Sequence, residues 1–294
     1  MMSNQLTRRQ FVGGSLAIGL ASSLPLSAAA NEKQKKMQLG LVTYLWGQDW
    51  DLPTLIANCE NTQVLGLELR TQHKHGVEAD LNSEQRIEVR QRFNDSPVTF
   101  LGPGTNWEFQ SPDSDQLRKN IESAKSYAKL SHDCGGSGVK VKPNSLPEGV
   151  PIEKTIEQIG QSLNEVGRYA ADYGQEIRVE VHGPKTQQLP IMKRIMDVAD
   201  QENVAVCWNS NQVDLEGEGL EHNFNLVRDR LGATVHVREL QDENYPYARL
   251  FELFVESDFS GWILLECRTS PEDRIAALME QRQLFDKLVS AAGG

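Results

Sequence analysis

The sequence predicts an α/β protein built as a single (β/α)8 barrel. Eight short apolar runs rich in β-branched residues recur along the chain, and each is followed by a longer amphipathic stretch. Strict alternation of strand and helix produces a parallel sheet, and eight repeats are the number that closes it into a barrel. An open doubly wound sheet is the alternative, but residues 43–47, after the first predicted strand, lack its glycine-rich phosphate turn.

Each predicted element has its own signal. The predicted strands are residues 39–44, 64–70, 98–102, 138–143, 177–182, 204–209, 234–239 and 262–268. The predicted helices are residues 53–61, 83–94, 112–132, 152–173, 187–202, 220–231, 246–257 and 271–292. Two Ser-Pro pairs, Ser111-Pro112 and Ser270-Pro271, predict a serine N-cap followed by proline at the first helical position.

The first thirty residues differ from the rest. Arg8 and Arg9 precede a weakly apolar run over residues 12–26 and the small residues 27–30, a pattern that resembles a twin-arginine signal peptide. An ordinary secretory signal and an uncleaved anchor are the alternatives, although the glycines, serines and proline of the run make a poor membrane span. We therefore expect residues 1–30 to be a signal, 31–36 a linker and 37–294 the barrel. The mature chain would be periplasmic or otherwise extracytoplasmic, and not an integral membrane protein.

Composition excludes several classes of protein. The 294 residues carry a formal charge of −11 and are 39% hydrophobic, which is typical of a soluble globular protein. The acidic balance argues against nucleic acid as a partner. The four cysteines form no CxxC pair, and the simplest interpretation is that they are buried and reduced. The sequence leaves a homo-oligomer open.

Polar residues gather where the predicted strands end, which is where active sites of this fold lie. Four of them, Glu180, Asn209, His236 and Glu266, are separated by 29, 27 and 30 positions, about one strand–helix unit each. Side chains at one level of four consecutive strands can converge on a point. Two carboxylates, an imidazole and an amide oxygen would suit one divalent ion of Mn, Mg, Co or Zn.

A structural interpretation stands beside this one. The two glutamates could be held in buried ion pairs, the histidine could be a satisfied core residue, and the asparagines at 209 and 211 could belong to a turn. The cations available for such pairs are Arg178, Arg268 and Lys140. Lys142 precedes a proline, and we expect it to be a solvated loop charge.

These four motifs resemble the xylose isomerase-like TIM barrel superfamily, in particular its sugar phosphate isomerase/epimerase branch. They read Val-Glu-Val-His, Cys-Trp-Asn-Ser-Asn, Val-His-Val-Arg-Glu and Leu-Leu-Glu-Cys-Arg. The resemblance implies one divalent metal ion held by Glu180, Asn209, His236 and Glu266. The chain departs from the family at Asn209, where an aspartate is expected, and at Gln212, where a histidine is common. One negative charge fewer should weaken metal binding.

The resemblance also implies a reaction. The metal would stabilise an enediolate formed from a free sugar or sugar derivative, while Glu180 and Glu266 remove and return the proton. The residues that would contact this carbohydrate substrate are His75, Trp107, Lys140, His182, Asn211 and Arg238. His75 could equally be a solvated loop residue. A lyase or hydratase acting on a keto-sugar or keto-glycoside, and a sugar-binding barrel without turnover, are the alternative functions.

Overall fold

Strands and helices alternate through residues 37–293, the part of the chain that the computed structural model describes. The strands are β1 (Gln38–Val42), β2 (Gly66–Arg70), β3 (Thr99–Glu108), β4 (Gly138–Lys142), β5 (Glu176–Glu180), β6 (Val204–Cys207), β7 (Thr234–Val237) and β8 (Trp262–Leu265). The helices are α1 (Leu52–Thr62), α2 (Ser83–Asn94), α3 (Ser114–Cys134), α4 (Ile152–Ala171), α5 (Leu189–Val198), α6 (Leu220–Asn225), α7 (Tyr247–Glu256) and α8 (Arg274–Ala292). The signal and linker expected at residues 1–36 lie outside the described residues, and so does Gly294.

The strands form one parallel sheet that nearly closes on itself, which confirms the predicted (β/α)8 barrel. Along the sheet the order is β6-β5-β4-β3-β2-β1-β8-β7. The remaining seam, between β6 and β7, is joined by two isolated bridges, Val206 to Leu231 and Asn209 to His236. The second bridge places two of the predicted site residues side by side where the barrel closes.

Element boundaries differ from prediction at the helix starts. α3 and α8 begin after Asp113 and Asp273, whose carboxylates each accept two backbone N–H bonds. The predicted Ser-Pro caps are therefore wrong. An aspartate accepts those N–H groups as serine would, and its charge also complements the positive end of the helix dipole.

Two apolar regions leave the part of the lumen at the carboxyl ends of the strands free for polar side chains. The large core lies between the sheet and the helices. The lumen holds a much smaller cluster of Val42, Leu101 and Leu264, packed against Tyr44 and Trp262. Because this cluster fills only part of the lumen, the space toward the carboxyl ends of the strands is lined by charged and polar groups instead. All four cysteines are free and buried, as expected.

No helix of residues 37–293 combines the length and the apolar character that crossing a membrane requires.

A glycine in β3 allows the sheet to close around this lumen. Gly102 has a φ of 136°, and a Cβ there would overlap the carbonyl oxygen of Gly138 in β4. We expect Gly102→Ala to lower the free energy of unfolding by more than about 3 kcal/mol, because backbone strain adds to overlap with a carbonyl that cannot move aside.

The matched control is Gly149→Ala, which also changes a glycine of positive φ but has open space around the added methyl group. It should cost only about 1–2 kcal/mol. Urea unfolding followed by circular dichroism measures both values, and equal losses would contradict the role given to the contact with Gly138.

Candidate active site

The four residues predicted to converge do meet in the lumen. One ligand atom each from Glu180, His236 and Glu266 lie within 4.8 Å of one another, and all three side chains are buried. Asn209 joins them through its amide Nδ2, which donates to Glu180 Oε1 at 2.8 Å. These residues come from the ends of β5 to β8, so the spacing in the sequence does correspond to one level of the barrel.

The donor set fits a divalent cation. Asn209 Oδ1 and His236 Nδ1 are buried without a hydrogen-bond partner. A buried acceptor with no partner is costly, and a cation that reached either atom would satisfy it. Carboxylate, imidazole and amide oxygen are ligands that Mn²⁺, Mg²⁺, Co²⁺ and Zn²⁺ accept to different degrees. The residues that would hold an ion are therefore Glu180, Asn209, His236 and Glu266.

A lysine also belongs to this cluster. Lys140 Nζ lies 2.7 Å from Glu180 Oε2, with both side chains at most 1% exposed, and it donates to the carbonyl of Thr105 at 3.1 Å. Burial opposes ionisation of Glu180, but the nearby ammonium outweighs it and holds the pKa of Glu180 well below its usual range. The ion-pair interpretation of Glu180 is therefore correct for Lys140, alongside the convergence on His236.

The second carboxyl has a different environment. Glu266 Oε1 lies 3.4 Å from Arg70 Nη1. Burial, reinforced by the charge of Glu180, raises the pKa of Glu266 above its usual range. Two carboxyl groups of unequal basicity thus face one point, an arrangement typical of sites that move protons.

Two lumen residues on β2 were not selected from the sequence. Glu68 is 1% exposed, and its Oε2 lies 3.3 Å from His236 Nε2. Gly104 leaves room for it, since a Cβ there would lie 2.5 Å from Glu68 Oε1. Arg70 stands two positions after Glu68 on the same face. Alternation along β2 was the signal that could have found both, because it places them on the inner face.

His182 lies at the rim, as predicted. Its Nδ1 is 2.9 Å from Asn144 Oδ1, and the amide of Asn144 donates in turn to Glu108. Burial is the main reason that the pKa of His182 falls to about 4. The neutral ring donates through Nδ1, so Nε2 is left able to accept a hydrogen bond.

Two predicted substrate contacts are not supported. Both ring nitrogens of His75 bond to backbone: Nε2 donates to the carbonyl of Arg70 at 2.7 Å, and Nδ1 accepts from Val77 N–H at 3.0 Å. His75 therefore fixes its loop. The ring of Trp107 packs against Tyr127 of α3, with 6.1 Å between centroids. Trp107 lies on the outer face of β3, so its ring points toward the helices and away from the lumen.

Asn211 and Arg238 hold each other at the rim of the seam. Arg238 Nη2 donates to Asn211 Oδ1 at 2.9 Å, and Asn211 Nδ2 donates to the carbonyls of Val181 and Asn209. The amide of Asn211 is thus fully used in the loop. Arg238 Nη1 is buried without a partner, so this nitrogen is the one that could reach a bound molecule.

Comparison with known proteins identifies the family of this chain. The family model for the xylose isomerase-like TIM barrel matches residues 64–288. The chain belongs to this family. Comparison with proteins of curated function finds no match by sequence.

Solved structures with the same fold include several sugar epimerases. The chain is similar to L-ribulose 3-epimerase, with a TM-score of 0.75 and 14% identity over 87% of this chain and 96% of that one. It is similar to 3-keto-D-glucoside 4-epimerase, YcjR, from E. coli, with a TM-score of 0.71 and 14% identity over 86% and 100%. It is also similar to the IOLI protein, described with a bound zinc atom, with a TM-score of 0.70 and 16% identity over 86% and 98%. At these identities the likeness establishes the fold.

The charges around the cluster predict how a metal ion would bind there. Asn209→Asp would add a third carboxylate to the cluster, and we expect it to tighten Mn²⁺ binding at least tenfold. Lys140→Met would remove a competing cation and act in the same direction. Without metal, it should also cost about 3–5 kcal/mol of stability, because Glu180 loses its buried partner.

Calorimetric titration of the chelated protein with Mn²⁺ measures the affinities, and urea unfolding with and without the ion measures the stabilities. Lys154→Met, at an exposed position of α4, is the control and should change neither. Weaker Mn²⁺ binding by Asn209→Asp would contradict the proposed ligand set.

The loop after β6 contains a buried carboxyl with its own pH dependence. Asp214 Oδ2 accepts from Asn211 N–H and from the Tyr245 hydroxyl, both at 2.8 Å. Burial raises the pKa of Asp214 to about 7. In the folded protein this group keeps its proton above its unfolded pKa of about 3.9. The stability that it contributes is therefore complete below about pH 4 and is lost as pH rises toward 7.

Asp214→Asn removes this titration while keeping the shape of the side chain. The stability of the variant relative to the natural protein should rise with pH between 4 and 7, by at most about 1.4 kcal/mol per pH unit. Urea unfolding at several pH values measures the difference, and a difference independent of pH would show that Asp214 is already ionised in the folded protein.

Proposed function

We propose that this protein is an isomerase or epimerase that moves the proton on a carbon next to the carbonyl of a free sugar or sugar derivative. The observation that carries the proposal is the convergence of Glu180 and Glu266 with His236 in the lumen, with ligand atoms within 4.8 Å. Further support comes from the fold, which the chain shares with sugar epimerases.

The two carboxyl groups divide the proton transfer. They reach the site from β5 and β8, which are not neighbours in the sheet, so a sugar bound between them presents a different face to each. One carboxylate removes the proton and the other returns it, which inverts the carbon, while return by the same group to the adjacent carbon gives isomerisation. Lys140 keeps the Glu180 carboxylate in place.

A divalent ion, when bound, would stabilise the negative charge that develops on the two adjacent sugar oxygens. The proposed ligands are Glu180, Asn209, His236 and Glu266. His182 Nε2 would accept a hydrogen bond from a sugar hydroxyl, and Arg238 Nη1 would donate one to a sugar oxygen. These contacts orient the sugar while the buried ligands keep bulk water from the reacting carbon.

Exchange of the carbon-bound proton with solvent tests the proposal directly. Aldoses, ketoses and 3-keto-glycosides are incubated with the full chain and Mn²⁺ in D₂O and followed by NMR. We expect deuterium to enter at the carbon next to the carbonyl. Glu180→Gln and Glu266→Gln should each slow this exchange about 10²–10⁴-fold, the usual contribution of a general acid or base.

Glu60→Gln, at an exposed position of α1, is the matched control and should exchange at the natural rate. Release of water or an aglycone would overturn the isomerase proposal in favour of a lyase or hydratase. Binding of sugars without exchange at any carbon would instead identify a sugar-binding barrel.

A further inference from the structure

A buried lysine without a partner lies at the mouth of the site. Lys142 ends β4, and it stands two residues after Lys140, so both side chains project from the inner face of the strand. It is only 8% exposed. The expectation that Lys142 is a solvated loop charge is therefore wrong. No ion pair or hydrogen bond from its ammonium group is found within residues 37–293. The positive charges of Lys140 and Arg70 act on this ammonium, and most of its side chain is withdrawn from water, so an anion that reached it would be stabilising.

Three carboxylates of the lumen already have basic partners. Lys140 pairs with Glu180 at 2.7 Å, and Arg70 lies 3.4 Å from Glu266. Glu68 faces His236. Burial, with the positive charge of Lys140 next in size, lowers the pKa of Lys142 to about 8. Glu108, the register partner of Lys142 on β3, accepts from the amide of Asn144 and forms no ion pair with Lys142. A bound anion would therefore be the first direct partner of this ammonium among residues 37–293.

The usual phosphate position of this fold is filled by the protein itself. In (β/α)8 barrels, phosphate commonly binds in the loops after β7 and β8. Here Glu239, which follows β7, accepts at Oε1 from Arg268 N–H at 2.9 Å, Thr269 N–H at 2.7 Å and the Thr269 hydroxyl at 2.6 Å. A phosphate in this cradle would meet a carboxylate that is 8% exposed and tightly held. The loops after β7 and β8 therefore offer no phosphate site that would hold an anion against Lys142.

We propose that the substrate is a sugar that carries a carboxylate, such as a uronate or a keto-sugar acid, and that this carboxylate pairs with Lys142. One ammonium group matches a single negative charge, and a sugar carboxylate is fully ionised at neutral pH. The inference rests on the proposed function for the position of the reacting carbon. Recognition of the carboxylate can be measured separately, because binding needs no turnover.

The test compares matched sugars with and without the carboxylate. The full chain is titrated with D-glucuronate against D-glucose, D-galacturonate against D-galactose, and D-glucose 6-phosphate, with binding followed by NMR. We expect the uronate of at least one pair to bind at least tenfold more tightly than its neutral sugar. Lys142→Met should abolish that preference, and Lys142→Arg, which keeps the charge, should retain most of it.

Lys154→Met is the control and should leave all affinities unchanged. Lys142→Met should fold normally, since it replaces an unpaired buried charge with an apolar side chain of similar length, and thermal unfolding checks this. Equal binding of uronate and neutral sugar in both pairs would overturn the inference, and so would a preference that survives in Lys142→Met. Tighter binding of glucose 6-phosphate than of either uronate would replace the carboxylate with a phosphate. If no deuterium exchange occurs but the uronate is still preferred, the proposed function is overturned and the recognition of the carboxylate stands.

Discussion

The ion pair between Lys140 and Glu180 sets the electrostatics of the lumen. A carboxylate buried at this depth would be very costly alone, and the ammonium at 2.7 Å makes its ionised form stable. Asn209 donates to the other oxygen of the same carboxylate. An aspartate at that position would instead repel Glu180 unless a cation lay between them. The neutral amide at 209 and the lysine at 140 are therefore two parts of one charge balance.

Barrel closure determines where this charge balance acts. The seam between β6 and β7 is held by isolated bridges, one of which joins Asn209 to His236. Backbone bonds from His236 N to the Trp208 carbonyl, and from Ser210 N to the His236 carbonyl, hold the two residues in register. The position of two proposed metal ligands therefore depends on the same hydrogen bonds that close the sheet.

The sequence predicts where a side chain starts on its strand better than it predicts which group the side chain reaches. The convergence of Glu180, His236 and Glu266 was predictable, because strand spacing and alternation put them on one face at one level. The partner of Glu180 was harder to predict. In strand register Lys140 lies opposite Arg178, and its long side chain reaches up to Glu180. The direction in which a flexible side chain leans is decided by neighbouring charges, which spacing does not show.

The sequence alone determined the repeating strand–helix unit, its eightfold repetition and the rim at which polar residues gather. These features depend on periodicity and local chemistry, so they can be read along the chain. Only the tertiary structure decided which charges are paired and which is left over. It engaged both ring nitrogens of His75 with the backbone, turned Trp107 to the helices and buried Lys142 without a partner. Such outcomes depend on distances between strands far apart in the sequence, and folding alone sets those distances.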